Sequence, residues 1–170
     1  MASLTAKPVQ AVELCQLAGK IAQFEDRFIP QQALSHGQQV QKVFGINGAK
    51  AQAQQGFPTI VKFGLPELDK SRQTQGNETT ARVDALLAMM TTLDDTCVLY
   101  RAGETGLARM QQGAQEVLDL GGYSTFDGQH AFNSLEQDLL RLRASPGGVA
   151  DLLAATLFID RVEQFYFNNK

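Results

Sequence analysis

Two adjacent carboxylates stand out among the side chains of this sequence that could do chemistry. Asp94 and Asp95 follow an apolar helical pattern and precede Thr96. At the carboxyl end of a helix, two negative charges oppose the helix dipole, and a bound cation would offset that cost. Mg²⁺ fits such oxygen ligands, because it takes one or two carboxylates together with ligand phosphates and water. The pair therefore predicts a metal site at Asp94 and Asp95, with two solvated surface acids as the alternative.

A second unusual segment is 145–151, which reads Ser-Pro-Gly-Gly-Val-Ala-Asp and opens an apolar helical pattern. Ser145 is a good N-cap, and the proline after it suits the first helical position. Gly147 and Gly148 each cost about 1 kcal/mol against alanine there, which indicates close approach by another body. That body is either a phosphate, drawn by free N–H groups and the helix dipole, or another helix that needs the missing side chains. Asp151, one turn further on, either caps N–H groups or binds a cation.

Arg101 adds positive charge near the carboxylate pair. Its guanidinium fork could hold a phosphate, and a surface ion pair is the alternative. Gly103 then leads towards the next helical pattern, so 94–103 is predicted to be a polar loop. The sequence has no GxxxxGK[ST] loop, no GxGxxG after a strand and no Gly-x-Ser-x-Gly elbow. Any chemistry is therefore assigned to two polar loops, 94–103 and 145–151.

The composition fits one folded domain of ordinary size. The chain has 170 residues, of which 44% are hydrophobic and 19% charged, and its net charge is −3. General nucleic-acid binding requires a basic face, so we expect no nucleic-acid partner. Two cysteines and two histidines favour neither a disulfide framework nor a zinc site. No segment has the length of a membrane span and the start lacks a secretory pattern, so a cytoplasmic protein without a membrane partner is predicted.

Apolar residues recur at helical spacing along nearly the whole chain, whereas the alternation typical of strands is scarce. The prediction is all-α: a single bundle-like domain over residues 1–170 with about six to eight helices. The stretch 58–76 is predicted to be an irregular connection with one short helix. The predicted helices cover about 9–24, 38–44, 49–55, 77–93, 105–120, 125 or 127 to 142, and 145–165.

Three ordered segments give the chain a resemblance to a known family. Residues 145–154, Ser-Pro-Gly-Gly-Val-Ala-Asp-Leu-Leu-Ala, resemble the SPGGSADLLA signature of the triphosphoribosyl-dephospho-coenzyme A synthases. Residues 94–103 resemble that family's DTN/DTC…RGG segment, and residues 45–58 resemble its GxxGAxGEAxxGFP segment. Each match is weak alone, but three in order are specific. The Asp-Thr-Cys wording is closer to the malonate decarboxylase branch than to the citrate lyase branch.

The resemblance implies a largely helical fold and a pentosyltransferase reaction. ATP and 3′-dephospho-CoA would give 2′-(5″-triphosphoribosyl)-3′-dephospho-CoA and adenine, and the product is the precursor of the prosthetic group on an acyl carrier subunit. The N-glycosidic bond of ATP would break through an oxocarbenium-like state, with attack by the 2′-hydroxyl of dephospho-CoA. Such a site needs Mg²⁺ or arginine for the triphosphate and a carboxylate near the ribose.

The resemblance also suggests roles for the residues in the two polar loops. Asp95 is the predicted catalytic residue and, together with Asp94, a Mg²⁺ ligand. The predicted nucleotide-binding residues are Arg101, Gly103, Ser145, Gly147, Gly148 and Asp151.

The chain departs from the family's pattern in length and at four positions. Family members are longer, and this chain is expected to correspond to their C-terminal half. Gln52 replaces a glutamate, Val149 replaces a serine, and Ala51 and Ala102 replace glycines, all on the expected ligand face.

Two hypotheses follow from these departures. One is an enzyme, alone or with a separately encoded N-terminal half. The other is a truncated, non-catalytic helical homologue that binds a nucleotide or a protein. A half-fold would expose apolar surface, so a homo-oligomer formed through the first and last helices is predicted in either case.

Overall fold

The structure, a computed structural model, describes residues 10–24, 35–46, 48–75 and 77–168. These ranges contain eight α-helices and no strand, which confirms the predicted all-α class. None of these helices is long and apolar enough to cross a membrane. The helices are α1 (Ala11–Ile21), α2 (His36–Phe44), α3 (Ala49–Gln54), α4 (Leu65–Gln75), α5 (Glu78–Met90), α6 (Thr96–Asp119), α7 (Phe126–Arg141) and α8 (Gly147–Asn168).

Several helix ends follow from local cap residues, as the sequence predicts. The Asn77 side chain accepts hydrogen bonds from the first N–H groups of α5, and the Thr125 hydroxyl accepts one from Gly128 of α7. After α6 the chain turns at Gly121 and Gly122, whose φ values of 93° and 78° favour glycine. These ends depend on neighbours in sequence, which is why the pattern alone locates them.

The stretch 58–76 is not the irregular connection that the sequence predicts. A π-helical turn, Ile60–Gly64, runs directly into α4. Long-range packing decides this stretch: Ile60 and Leu68 are completely buried. A Cβ at Gly64 would lie 2.8 Å from the Thr156 hydroxyl of α8, so the glycine lets two helices approach closely. Glycine and proline suggested a break here, but tertiary contacts hold the segment helical.

Segment 94–103 is likewise not a loop, since α6 begins at Thr96 rather than near residue 105. Only Gly103 departs from helical geometry, with φ 62° and ψ −164°, and it marks a kink in α6. The pattern around Arg101 and Gly103 therefore reflects a kinked helix, and the polar loop predicted over 94–103 is reduced to the turn before Thr96.

Helix α5 forms the centre of the bundle and packs against α4, α6 and α8. Its residues Leu87, Met89 and Met90 are buried, so it is apolar on most sides. The helical spacing predicts Leu135, Leu139 and Leu142 to face inward. Leu135 and Leu139 are buried, whereas Leu142, which follows the end of α7, is 37% exposed. The bundle thereby fixes the starts of α6 and α8 next to each other.

Candidate functional site

Asp95 is the N-cap of α6. Its Oδ1 accepts hydrogen bonds from the N–H groups of Cys97 at 2.7 Å and Val98 at 3.2 Å. The sequence pattern predicts this carboxylate at the end of the preceding helix, where its charge would be unfavourable. That placement is wrong, because α5 ends at Met90 and Asp95 lies at the positive end of α6. No cation is needed to explain the charge.

The same carboxylate also binds the start of α8. Its Oδ2 accepts a hydrogen bond of 2.9 Å from the N–H of Val149, and Asp95 is only 1% exposed. Ser145, the predicted N-cap of this helix, is exposed and its hydroxyl makes no hydrogen bond within the part of the chain that the structure covers. Asp95 therefore caps two helices at once, and it joins the acidic segment to the glycine segment.

The glycines at the start of α8 permit this contact. A Cβ at Gly147 would lie 2.9 Å from Sγ of Cys97, and a Cβ at Gly148 would lie 3.1 Å from Oδ2 of Asp95. Both distances are shorter than ordinary van der Waals contact. The sequence left two alternatives for the group next to these glycines, a phosphate or another helix. The structure shows another helix, the start of α6.

Cys97 lies at the centre of the predicted site residues. Burial raises the pKa of its thiol, and the charge of Asp95 raises that pKa further, while the N–H of Gly148 and the positive charge of Arg101 lower it. The negative charge of Asp151 also acts on the thiol. Arg101 lies one helical turn beyond Cys97, and both Arg101 and Asp151 are exposed. These residues therefore share one surface around the two helix starts.

The third segment of the resemblance reaches the same place. A Cβ at Gly48 would lie 3.1 Å from the Thr96 side chain, so this turn packs directly on α6. The Gln52 side chain is committed locally, because its Oε1 accepts a hydrogen bond of 3.3 Å from the N–H of Thr59. Residues of all three segments thus line one narrow cleft, with a cavity volume of about 20 Å³: Gly48, Gln52, Leu93, Asp94, Asp95, Thr96, Gly148 and Leu152.

The two carboxylates differ in their fitness for Mg²⁺. Both oxygens of Asp95 accept backbone N–H groups, which leaves little capacity for a metal. Asp94 is exposed, lines the cleft and has only a long contact of 3.5 Å from Nε2 of Gln111. Among the residues described, no group of three or more acidic, histidine or cysteine side chains could hold a metal. Asp94 fits as one ligand of an ion that phosphates would also coordinate.

Some residues singled out from the sequence lie elsewhere. Gly103 is in the kink of α6. Of the predicted nucleotide-binding residues only Gly148 lines the cleft, whereas Arg101, Gly103, Ser145, Gly147 and Asp151 do not. The Val149 side chain is completely buried in the core, so it is not on the expected ligand face. Thr96 and Cys97 are the contacts that sequence reasoning did not assign, and their place directly after a capping Asp was the signal available.

Comparison with known proteins gives the same family as the three segments. A sequence model of the family described as ATP:dephospho-CoA triphosphoribosyl transferase matches residues 3–169. No solved structure matches the chain.

Bacterial relatives carry a corresponding name. A protein of Pseudomonas syringae pv. syringae (strain B728a) is 54% identical over 162 residues, which are 95% of this chain and 55% of the relative. A protein of Azotobacter vinelandii (strain DJ / ATCC BAA-1303) is 51% identical over 146 residues, 86% of this chain and 50% of the relative. Both are named "Probable 2-(5''-triphosphoribosyl)-3'-dephosphocoenzyme-A synthase". The chain spans about half the length of the curated relatives it matches. It belongs to the ATP:dephospho-CoA triphosphoribosyl transferase family.

Proposed function

We propose that this chain forms part of a triphosphoribosyl-dephospho-CoA synthase, which transfers the triphosphoribosyl group of ATP to 3′-dephospho-CoA and releases adenine. The observation that carries the proposal is the cleft where segments 45–58, 94–103 and 145–154 meet. These segments are far apart in sequence, and a shared binding surface explains why all three resemble the family. We further propose that the product is the precursor of the prosthetic group of malonate decarboxylase. We also propose that the protein is cytoplasmic.

The cleft is too small to enclose a triphosphate, since about 20 Å³ admits roughly one water molecule. We therefore place the triphosphate across its exposed rim. Arg101 would bind phosphate oxygens through its fork of N–H donors. Asp94 would supply one carboxylate ligand to Mg²⁺, which when bound neutralises phosphate charge. Asp95 acts as a positioning residue, because it holds the starts of α6 and α8 together without facing solvent.

Calorimetric titration of Mg-ATP, paired with chromatographic detection of free adenine in the presence of dephospho-CoA, tests this proposal. Arg101→Gln should weaken Mg-ATP binding about tenfold, as expected for loss of a charge-assisted phosphate contact. Arg141→Gln is the matched control, because Arg141 is an exposed arginine on α7 whose guanidinium pairs with Asp138. Equal affinities of the two variants would contradict the role of Arg101. Adenine release that depends on dephospho-CoA, by the wild-type chain alone or with a separately produced N-terminal half, would establish transfer.

One observation favours the second hypothesis, a non-catalytic module that binds a nucleotide or a protein. The donors at the start of α8 are already used internally, since the N–H of Val149 binds Asp95 and that of Gly148 reaches the thiol of Cys97. A phosphate would have to displace these contacts. Mg-ATP binding without adenine release under every condition would support the module over the enzyme.

We also propose that the chain associates with a second protein chain through α1. Leu17 and Ile21 of α1 lie one turn apart and are 56% and 63% exposed, and Phe24, just after the end of α1, is 78% exposed. Phe165 of α8 adds a further exposed apolar side chain. The partner is a second copy or a separately encoded N-terminal half. Light scattering of the wild-type chain and of Ile21→Gln tests self-association, and a clean monomer at about 50 μM would contradict it, since such contacts commonly reach micromolar affinity.

A further inference from the structure

A second concave surface, here called the arginine groove, lies between α4, α5 and α8. Its cavity volume is about 530 Å³, within the range of roughly 300–1,000 Å³ typical of small-molecule sites. Along α8, Asp160 lies 12 residues beyond Gly148, a rise of about 18 Å. No residue of the arginine groove lines the cleft, so the groove is separate from the surface proposed for the transfer reaction.

The two carboxylates that line the arginine groove are paired with an arginine that also lines it. Arg72 donates to both oxygens of Asp160 at 2.8 and 2.9 Å, and to both oxygens of Glu78 at 2.8 and 3.0 Å. This pairing raises the pKa of Arg72 and lowers the pKa of Glu78 to about 2. Arg72 thus joins α4, α5 and α8 into a fixed wall, and Glu78 stays ionised but paired at neutral pH.

Two further guanidinium groups line the groove with donors to spare. Arg82 uses its Nε to contact Glu78 at 2.9 Å, and no bond to its terminal nitrogens appears among the described residues. Arg161 is exposed and has neither an ion pair nor a hydrogen bond in the ranges covered. With three arginines against Glu78 and Asp160, the lining carries one net positive charge.

An exposed aromatic ring completes the arginine groove. Phe158 is 67% exposed and lies on α8 three residues before Arg161. A flat apolar face beside guanidinium groups that have N–H donors to spare suits a ligand that joins a planar ring to an anion. Two arginines from different helices favour the three terminal oxygens of a phosphate monoester over the two oxygens of a carboxylate.

We propose that the arginine groove binds a small aromatic phosphate, with its phosphate held by Arg82 and Arg161 and its ring against Phe158. The concave shape and the volume of about 530 Å³ favour this ligand over a flat contact with another protein. Arg72 acts as the support, since it pairs with both oxygens of Asp160 and shares Glu78 with the Nε of Arg82. The terminal nitrogens of Arg82 then remain for the ligand.

Phenyl phosphate is the probe, followed by two-dimensional amide NMR of the whole chain. Saturable shifts are expected for groove amides, with inorganic phosphate, benzoate and phenol each at least about tenfold weaker than phenyl phosphate. The double variant Arg82→Gln/Arg161→Gln should weaken binding by about tenfold or more, and Phe158→Ala by several-fold. Arg141→Gln, another exposed arginine in a helical ion pair, should change the affinity by less than about twofold.

Absence of saturable shifts up to about 10 mM probe would overturn the proposal, as would equal binding by the double variant and wild type. Circular dichroism of each variant should match the wild type, because the altered side chains are exposed. If Phe158→Ala instead changes the oligomeric state by light scattering, and phenyl phosphate gives no shift, the groove is a protein contact and the proposal is wrong.

Discussion

The carboxylate of Asp95 and the backbone N–H of Val149, 54 residues apart in sequence, are joined by a buried hydrogen bond of 2.9 Å. Through this bond one side chain caps α6 and α8 together, so the two helix starts form a single surface. The helix dipoles converge there, and the ionised carboxylate offsets their positive ends. At the centre of the site, Asp95 therefore has a structural role as a helix cap, and its carboxylate is not free to bind a ligand.

Replacing Asp95 should be costly for stability. Asp95→Ala leaves buried N–H groups of two helices without an acceptor, and we expect a loss of about 2–4 kcal/mol in the free energy of unfolding. Asp95→Asn keeps one oxygen acceptor and should cost less. Urea denaturation followed by circular dichroism measures both. Asp94→Ala, on an exposed neighbour, is the control and should stay within about 0.5 kcal/mol of wild type. A similar result for Asp95→Ala would refute the double cap.

The glycines of α8 give a second stability test. Gly147→Ala improves helix propensity by about 1 kcal/mol, but its Cβ would press on the thiol of Cys97, so we expect a net loss of about 1–2 kcal/mol. Gly37→Ala is the matched control in the first turn of α2, where a Cβ meets nothing within 4 Å, and it should stabilise the protein. The double variant Gly147→Ala/Cys97→Ala should recover part of the loss. Stabilisation by Gly147→Ala alone would show that the packing is loose.

Acid should weaken the arginine groove through Glu78. The pKa of this carboxyl falls from an ordinary value of 4.5 to about 2, chiefly because of its hydrogen bonds with Arg72. Since the folded pKa is lowered, its stabilisation is present above pH 4.5 and is lost as the pH falls towards 2. The Glu78 side chain is 43% exposed, so solvent screening limits the effect to about 1 kcal/mol or less. Unfolding free energies of wild type and Glu78→Gln should differ at pH 6 and converge near pH 2; a constant difference would contradict this.

The thiol of Cys97 reports on the charges around the site. Burial and the charge of Asp95 raise its pKa, so alkylation by iodoacetamide should need a higher pH than for a free cysteine. Arg101→Gln removes a positive charge that lowers this pKa, and the pH profile should move further upward. Mass spectrometry of the Cys97 peptide gives the rate at each pH. An unchanged profile for Arg101→Gln would place that arginine away from the thiol.

Helix caps formed by residues close in sequence could be predicted, whereas contacts between distant parts of the chain could not. The caps at Asn77 and Thr125 follow from residues two or three positions away, which a pattern contains. Asp95 resembled a misplaced acid because its second partner, Val149, is distant in the chain. The glycines at 147 and 148 predict close packing by another group, but only the fold shows that this group is the start of α6.

The arginine groove could not be predicted from the sequence either, because it also depends on long-range contacts. Arg72, Glu78 and Asp160 come from three helices, and no spacing rule relates them. Helix α4 is not predicted from the stretch 58–76, because the glycines and prolines there are typical of connections. The burial of Ile60 and Leu68 depends on helices far along the chain. Burial and cross-helix pairing, rather than propensity, decide these regions.

The most direct test of the central claim is an amide NMR titration of the chain with Mg-ATP. We predict saturable shifts at Gly48, Thr96, Arg101 and Gly148, three segments of the sequence responding with one dissociation constant. No saturable shift at these amides, or shifts confined to the arginine groove around Arg82 and Arg161, would contradict the claim that the joined starts of α6 and α8 form the nucleotide surface.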